Sequence, residues 1–399
     1  MHFMKGFQRD LVAELSKRLR EPRRFIQVVQ GPRQVGKTTA VEKAIDAWDG
    51  PSVYAAADLP SPPTAQWIEQ QWDKSRAESA SARRPALLVL DEIHKIERWS
   101  EVVKRCWDED SRLGRDIRVV LLGSSAMLLG RGLSESLSGR FELQLLGHLQ
   151  WAEMQAAFGW DLDRFLFFGG YPGAAALARQ PERWRTYVKD SLIDTVLSRD
   201  VLMLNRIDKP ALLRKLFVLA CEYGGQALSY TKLMGELSEA GNTTTLASYQ
   251  SLLERSWLLA GLGKWSGSKV RQRNSSPKWL PLNTALMTSL SGESFEDWRS
   301  RPDRWGRLVE VAAGGRLFFE TRRLGAELFW WRDGNHEVDY VVKRGRSVLA
   351  VEVKSGARPR HLPGLGRFQA LWPGTRALCV GEGGEGLAEF LAAPLERYL

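Results

Sequence analysis

The run Gly31-Pro32-Arg33-Gln34-Val35-Gly36-Lys37-Thr38 has the spacing GxxxxGK[ST]. Glycines at such positions let backbone amides approach a phosphate that a Cβ would hold off. The amides converge at the start of a helix, where the dipole favours an anion. Lys37 would reach the β- and γ-phosphates of a nucleoside triphosphate, Thr38 would ligate Mg²⁺, and Thr39 closes the contacting run. A second string, Leu87-Leu88-Val89-Leu90-Asp91-Glu92, sets two acids behind four apolar residues. There Asp91 would hold Mg²⁺ through water, and Glu92 would orient or deprotonate the attacking water. Ser124 or Ser125 could sense the γ-phosphate from a neighbouring strand end. Arg140, in Leu137-Ser138-Gly139-Arg140, is a candidate arginine finger, with Arg131 and Arg199 as alternatives. This is the chemistry of ATP hydrolysis, with ATP and Mg²⁺ implied.

A separate set of charged residues lies near the C-terminus. Glu337-Val338-Asp339-Tyr340 and Val351-Glu352-Val353-Lys354 belong to two apolar runs separated by Arg344-Gly345-Arg346-Ser347. A two-residue turn at Gly345-Arg346 suits type II′ and sets Asp339 opposite Glu352, with Cβ atoms about 5 Å apart. Lys354, two residues on, shares the face of Glu352. Facing carboxylates can hold a hard divalent cation, and a nearby lysine can stabilise a phosphate oxyanion, as metal-dependent phosphodiesterases require. Glu310, on an apolar helical run at 308–317, can add a fourth group. The same residues also suit a solvated hairpin in which Asp339, Glu352, Lys354 and Glu337 form cross-strand ion pairs.

Between these sites, Ser229 is placed to cap a helix running to about residue 240. Gly241-Asn242 forms a turn, and Thr243 or Thr244 is placed to cap the next helix. Leu246, Tyr249, Leu252, Leu253 and Leu258 keep core spacing, while Ser248 and Gln250 face outward. Lys264, Lys269, Arg271, Arg273 and Lys278 follow with no intervening acid. A helix pair leading into a basic hairpin describes a winged helix. Its cations would neutralise DNA phosphates or lie solvated beside a protein partner.

The elements that must position these residues are legible in outline. Phe7, Leu11, Leu15 and Leu19 predict an opening helix. Uninterrupted apolar strands at 25–30, 86–90 and 119–122 alternate with helices, which indicates a buried parallel sheet with ligands at the strands' carboxyl ends. The expected division is a P-loop ATPase core at 1–150, a helical lid or linker at 151–206 interrupted by Gly169-Gly170-Tyr171-Pro172, a winged-helix segment at 207–280 and a nuclease-like domain at 281–399. With 399 residues, 44% of them hydrophobic, the chain can build more than one core. Three scattered cysteines offer neither a disulfide frame nor a zinc site. The start lacks the apolar core of a signal peptide, and no window approaches 18 apolar residues. A cytoplasmic location without membrane contact is expected. The net charge of +10 permits nucleic acid as a partner.

Together these strings resemble the bacterial and archaeal AAA-type ATPases that carry a C-terminal nuclease-like domain of unknown function. The resemblance rests on Gly31 to Thr39, Leu90-Asp91-Glu92-Ile93-His94-Lys95-Ile96, Leu121-Leu122-Gly123-Ser124-Ser125-Ala126, Leu137 to Arg140, Gly169 to Pro172 and Val351-Glu352-Val353-Lys354-Ser355-Gly356. It implies an α/β chain with an AAA-like core, a winged-helix segment and a domain similar to PD-(D/E)xK nucleases. In that pattern Asp339, Glu352 and Lys354 match the core and Glu310 matches the helical acid, although Val338 stands where such motifs often have proline. Two functions follow. One is a DNA-acting, homo-oligomeric ATPase with a metal-dependent nuclease. The other is a regulatory ATPase switch whose nuclease fold is inactive and whose partner is a protein.

Overall fold

A computed structural model describes residues 7–58, 63–123, 136–202, 207–237, 242–266, 275–356 and 362–399. Ser124, Ser125, Arg131, Lys269, Arg271 and Arg273 lie outside the described residues, as does the side chain of Arg199. The chain divides into two compact units, Lys5–Gly147 and His148–Leu399.

In the first unit, α1 (Asp10–Arg20), α2 (Lys37–Asp46), α3 (Ala65–Ala82) and α4 (Trp99–Arg112) surround five strands. These are β1 (Ile26–Gln30), β2 (Ser52–Ala56), β3 (Ala86–Asp91), β4 (Ile117–Gly123) and β5 (Phe141–Leu145). The sheet is wholly parallel, in the order β2-β3-β4-β1-β5. Successive residues of a strand feed opposite faces. Val29, Leu87 and Val89 pack with Leu15 of α1 and Val41 of α2, whereas Val28, Leu88 and Leu90 pack with Trp72 of α3 and Val103 of α4. Because both faces are covered, β3 is buried along its whole length, as its uninterrupted apolar sequence predicts. The edge strands β2 and β5 are half-exposed and lack an apolar run, so the sequence does not announce them. The buried Asp110 carboxylate ties α4 to α3, accepting from the Trp72 indole at 2.6 Å and from Arg76 at 2.8 Å.

In the second unit, helical stretches over 151–202 lead to α5 (Pro210–Glu222), α6 (Tyr230–Glu236) and α7 (Thr243–Arg255). An antiparallel pair follows, β6 (Leu259–Leu262) and β7 (Lys278–Pro281). Ser229 caps α6 as expected, accepting from the Lys232 amide at 3.2 Å. Asn242, not Thr243 or Thr244, caps α7, accepting from the Thr245 amide at 2.8 Å. An Asn carbonyl one residue earlier satisfies the same orphan amides. Leu246, Tyr249 and Leu253 are buried and Ser248 is exposed.

A long helix, α8 (Pro302–Leu324), then backs a four-stranded sheet of order β11-β10-β9-β8. Its strands are β8 (Glu327–Asp333), β9 (His336–Arg344), β10 (Ser347–Lys354) and β11 (Arg376–Gly381), with α9 (Pro363–Leu371) between the last two. The β9–β10 register sets Arg344 opposite Ser347 and Tyr340 opposite Val351, as the Gly345-Arg346 turn predicts. Gly345 supplies the required positive φ of 58°. Backbone hydrogen bonds join Trp265 and Gly263 to Trp330 of β8, so this unit runs on through residue 280, where a boundary is expected from the sequence.

Candidate nucleotide site and the C-terminal carboxylates

The carboxyl ends of β1, β3 and β4 gather at one edge of the first sheet, with Gln30 of β1 level with Gly123 of β4. Gly31 leaves β1 where β5 ends. A Cβ on it would lie 1.9 Å from the Leu146 carbonyl oxygen, so only glycine lets the loop pass. Gln34 and Gly36 take positive φ values of 56° and 88°, which turns the chain into α2 at Lys37. From α1's side, the buried Arg9 guanidinium donates to the carbonyls of Val35, at 2.9 Å, and Gly147, at 3.0 Å. The loop is thus fixed at both shoulders. The buried Lys37 ammonium donates back to the carbonyls of Gly31, at 3.1 Å, and Pro32, at 2.6 Å. Arg33 and Thr39 are half-buried and Gln34 is exposed along the same run.

Across the strand ends, the Thr38 hydroxyl donates to Asp91 Oδ2 at 3.1 Å. The proposed Mg²⁺ ligands, 53 residues apart in sequence, therefore touch. Tyr54, in the middle of β2, donates to the same oxygen at 2.8 Å, and burial together with this bond pushes its phenol well up. Glu92 follows in the left-handed region at φ 52°, its amide donating to Asp91 Oδ1 at 2.8 Å. Holding a non-glycine residue there costs about 1–2 kcal/mol and turns the Glu92 side chain off the strand direction. His94 Nε2 lies 3.3 Å from Glu92 Oε2, and Lys95 Nζ lies 3.9 Å from it. Burial, aided by the charges of Lys95, Arg33 and Lys37, pushes His94 down to about 4, so the imidazole is neutral near pH 7. Its Nε2–H then faces Glu92, and its Nδ1 is buried with no hydrogen bond among the described residues. Sequence reasoning did not assign Tyr54 or His94. The string Asp91-Glu92-Ile93-His94 carries a signal for the second only.

The donor set fits a magnesium nucleotide: a glycine-bounded cradle, a buried lysine in it, and a hydroxyl and carboxylate in contact at its mouth. Arg140 lies elsewhere. It immediately precedes β5, and its carbonyl accepts from the Ile26 amide at 2.8 Å, at the amino end of β1. Its guanidinium forks onto both oxygens of Asp108, at 2.7 and 3.0 Å. With all of β1 between them, it cannot serve the loop of its own chain. Only a loop from another copy could receive it.

In the second unit the carboxylates converge around a residue that the sequence places in the basic wing. Lys278 is 1% exposed, not displayed to DNA. Its ammonium lies 2.5 Å from Glu310 of α8, 3.3 Å from Asp339 and 3.6 Å from Glu337 of β9. It also sits over the Tyr340 ring, whose hydroxyl donates to the Glu310 carbonyl at 2.9 Å. Asp339 Oδ2 accepts from the Val353 amide at 2.8 Å. Burial, offset by Lys278, raises the Glu310 carboxyl above the usual carboxylate range. The partner strand's Glu352 pairs with Lys354 at 2.9 Å, as their shared face predicts. Among the described residues, no group of three or more His, Cys, Asp or Glu side chains is arranged to hold a metal ion. The expected metal set of Glu310, Asp339 and Glu352 is thus split between two lysines. Lys278 is separated by 32 and 61 residues from Glu310 and Asp339, a distance at which no local pattern could pair them.

Residues 23–155 match a family model described as an AAA domain. Residues 159–297 and 305–397 match two domains of unknown function, DUF8612 and DUF4143. An uncharacterized protein of Mycobacterium tuberculosis is 28% identical over 358 residues, spanning 88% of this chain and 75% of the relative. An uncharacterized protein of Haemophilus influenzae is 20% identical over 349 residues, spanning 82% of each. Among solved structures, the Aeropyrum pernix ORC1 protein, in complex with DNA, is 14% identical with a TM-score of 0.31, covering 72% of this chain and 93% of that one. That likeness is too low to bear on what this chain binds. The chain carries an AAA-type P-loop domain followed by two domains without assigned function, and none of these descriptions names a nuclease. No helix among the described residues is long and apolar enough to cross a membrane.

Proposed function

We propose that the chain is an ATP-hydrolysing switch of the AAA type, with its C-terminal unit reading a partner and not cutting DNA. The contact of Thr38 with Asp91, beside a glycine loop that already encloses Lys37, carries the ATPase part. The loop amides of residues 31–38 would bind the phosphates, and Lys37 would exchange its two carbonyl partners for phosphate oxygens. Thr38 and Asp91 would hold Mg²⁺, which neutralises developing charge. Glu92 would accept the proton of a water attacking the γ-phosphorus while the bond to the leaving ADP oxygen breaks. Lys278, seated among the C-terminal acids, weighs against the metal-dependent nuclease.

DNA as the partner is a second reading, supported by α6, α7 and the β6–β7 hairpin, an arrangement compatible with a winged helix, together with the net charge of +10. Phosphate release by wild type and Lys37→Ala, with and without duplex or single-stranded DNA, tests both. Lys37→Ala should abolish turnover, and wild-type turnover in that variant would sink the site assignment. Stimulation by DNA would favour DNA over a protein partner.

A further inference from the structure

Among the described residues of the second unit, C-terminal acids gather around one buried cation. Glu310 and Asp339 come from α8 and β9, Lys278 from β7, and all three are mostly buried. Three carboxylates lie within 3.6 Å of the ammonium, so it sits where a shared cation would sit. Glu337 is further held by Arg332 at 2.9 Å, and Glu352 by Lys354. Among the described residues, four acids, Glu310, Glu337, Asp339 and Glu352, therefore face three cations, Lys278, Lys354 and Arg332. The small negative excess offers little attraction for a divalent ion, which needs several hard oxygens at about 2.0–2.6 Å with no competing cation at their centre. Withdrawing Lys278 would leave two buried acids uncompensated in a low-dielectric setting, a strong call for a replacement cation.

We propose that the Lys278 ammonium is the resident cation of this cluster, so that the acids expected to hold a nuclease metal take Mn²⁺ or Mg²⁺ only when Lys278 is removed. This deepens the reading of the C-terminal unit as non-cutting. Its test uses no nucleotide, so its failure leaves the ATPase reading untouched. Full-length protein with Asp91→Asn, which silences the Mg²⁺ ligand of the P-loop, is titrated with Mn²⁺ by calorimetry and by thermal melts.

In that background the protein with Lys278 intact should take up no Mn²⁺ that depends on Asp339. Adding Lys278→Ala should create one site per chain, tighter by about tenfold or more, with a melting temperature raised by the metal. Adding Asp339→Asn to Lys278→Ala should remove that site. Mn²⁺ uptake with Lys278 intact that Asp339→Asn abolishes would overturn the proposal, as would a folded Lys278→Ala protein that gains no site. If Lys278→Ala folds only with Mn²⁺, the proposal stands. If it folds in neither condition, Lys278→Gln, which keeps the volume and a donor, is read by the same two outcomes.

Discussion

Replacing Gly31 with alanine separates what the phosphate loop owes to packing from what it owes to its ligand. The added Cβ would meet the Leu146 carbonyl oxygen at 1.9 Å, whereas contacts under 3.0 Å essentially never occur, so the two must part by about 1 Å. The carbonyl cannot yield alone. The Leu146 amide donates to Gln30 at 2.8 Å, and its side chain is buried with Val35 and Val41. Either the end of β5 peels from β1 or the loop lifts, taking with it the carbonyls that hold Lys37. Overpacking of this kind costs about 1–3 kcal/mol. A misplacement of about 1 Å at the phosphates lowers turnover by about 10²-fold. Gly36→Ala is the contrast: its Cβ meets nothing within 4 Å among the described residues, and the positive φ of 88° is strained, at about 1–2 kcal/mol. Thermal melts, fluorescent-nucleotide binding and phosphate release on both variants read the difference. Gly31→Ala should lose stability and turnover together. Gly36→Ala should lose chiefly nucleotide affinity, because its side chain would face the bound phosphates. A Gly31→Ala protein that melts and turns over like wild type would refute the packing of β5 against the loop.

Glu92→Gln should bind ATP but lower turnover by about 10²–10⁴-fold, since Thr38 and Asp91 still touch while the proton acceptor is gone; loss of binding would mean that Glu92 is structural. His94, buried neutral and pushed down to about 4, should make the P-loop unit lose up to about 3 kcal/mol as pH falls from 6.5 toward 4. The unfolded chain binds the extra proton in that window, so stability is complete above it, and His94→Gln should flatten the slope in pH-dependent melts. Tyr54→Phe removes the 2.8 Å bond to Asp91 and should weaken the Mg²⁺ dependence of turnover by about 1 kcal/mol, leaving the fold intact. Arg140→Ala and Lys37→Ala should each be inactive alone, and mixing them should restore part of the activity if Arg140 serves a neighbouring copy. No recovery in the mixture would leave Arg140 to its pair with Asp108.

Motifs confined to a short stretch of chain were legible in the sequence, because a loop, a strand end or a two-residue turn is fixed by local stereochemistry. Gly31 to Thr38, the acids ending β3, the Ser229 cap and the β9–β10 register all follow from neighbours in sequence. The central strands were visible because both their faces are buried. The edge strands β2 and β5 were not, since half-exposed strands need no apolar run. Which charges meet was decided only by the tertiary structure. Lys278 reads as one more cation of a basic segment until β7 carries it under Glu310 and Asp339, and nothing in the sequence says whose loop Arg140 could serve until β5 places it at the amino end of β1, away from its own. Tyr54 shows no signal at all before β2 pairs with β3. Burial sets the strength and the partner of a charge. Burial belongs to the packed chain as a whole, so residue type and spacing along the sequence could not assign it.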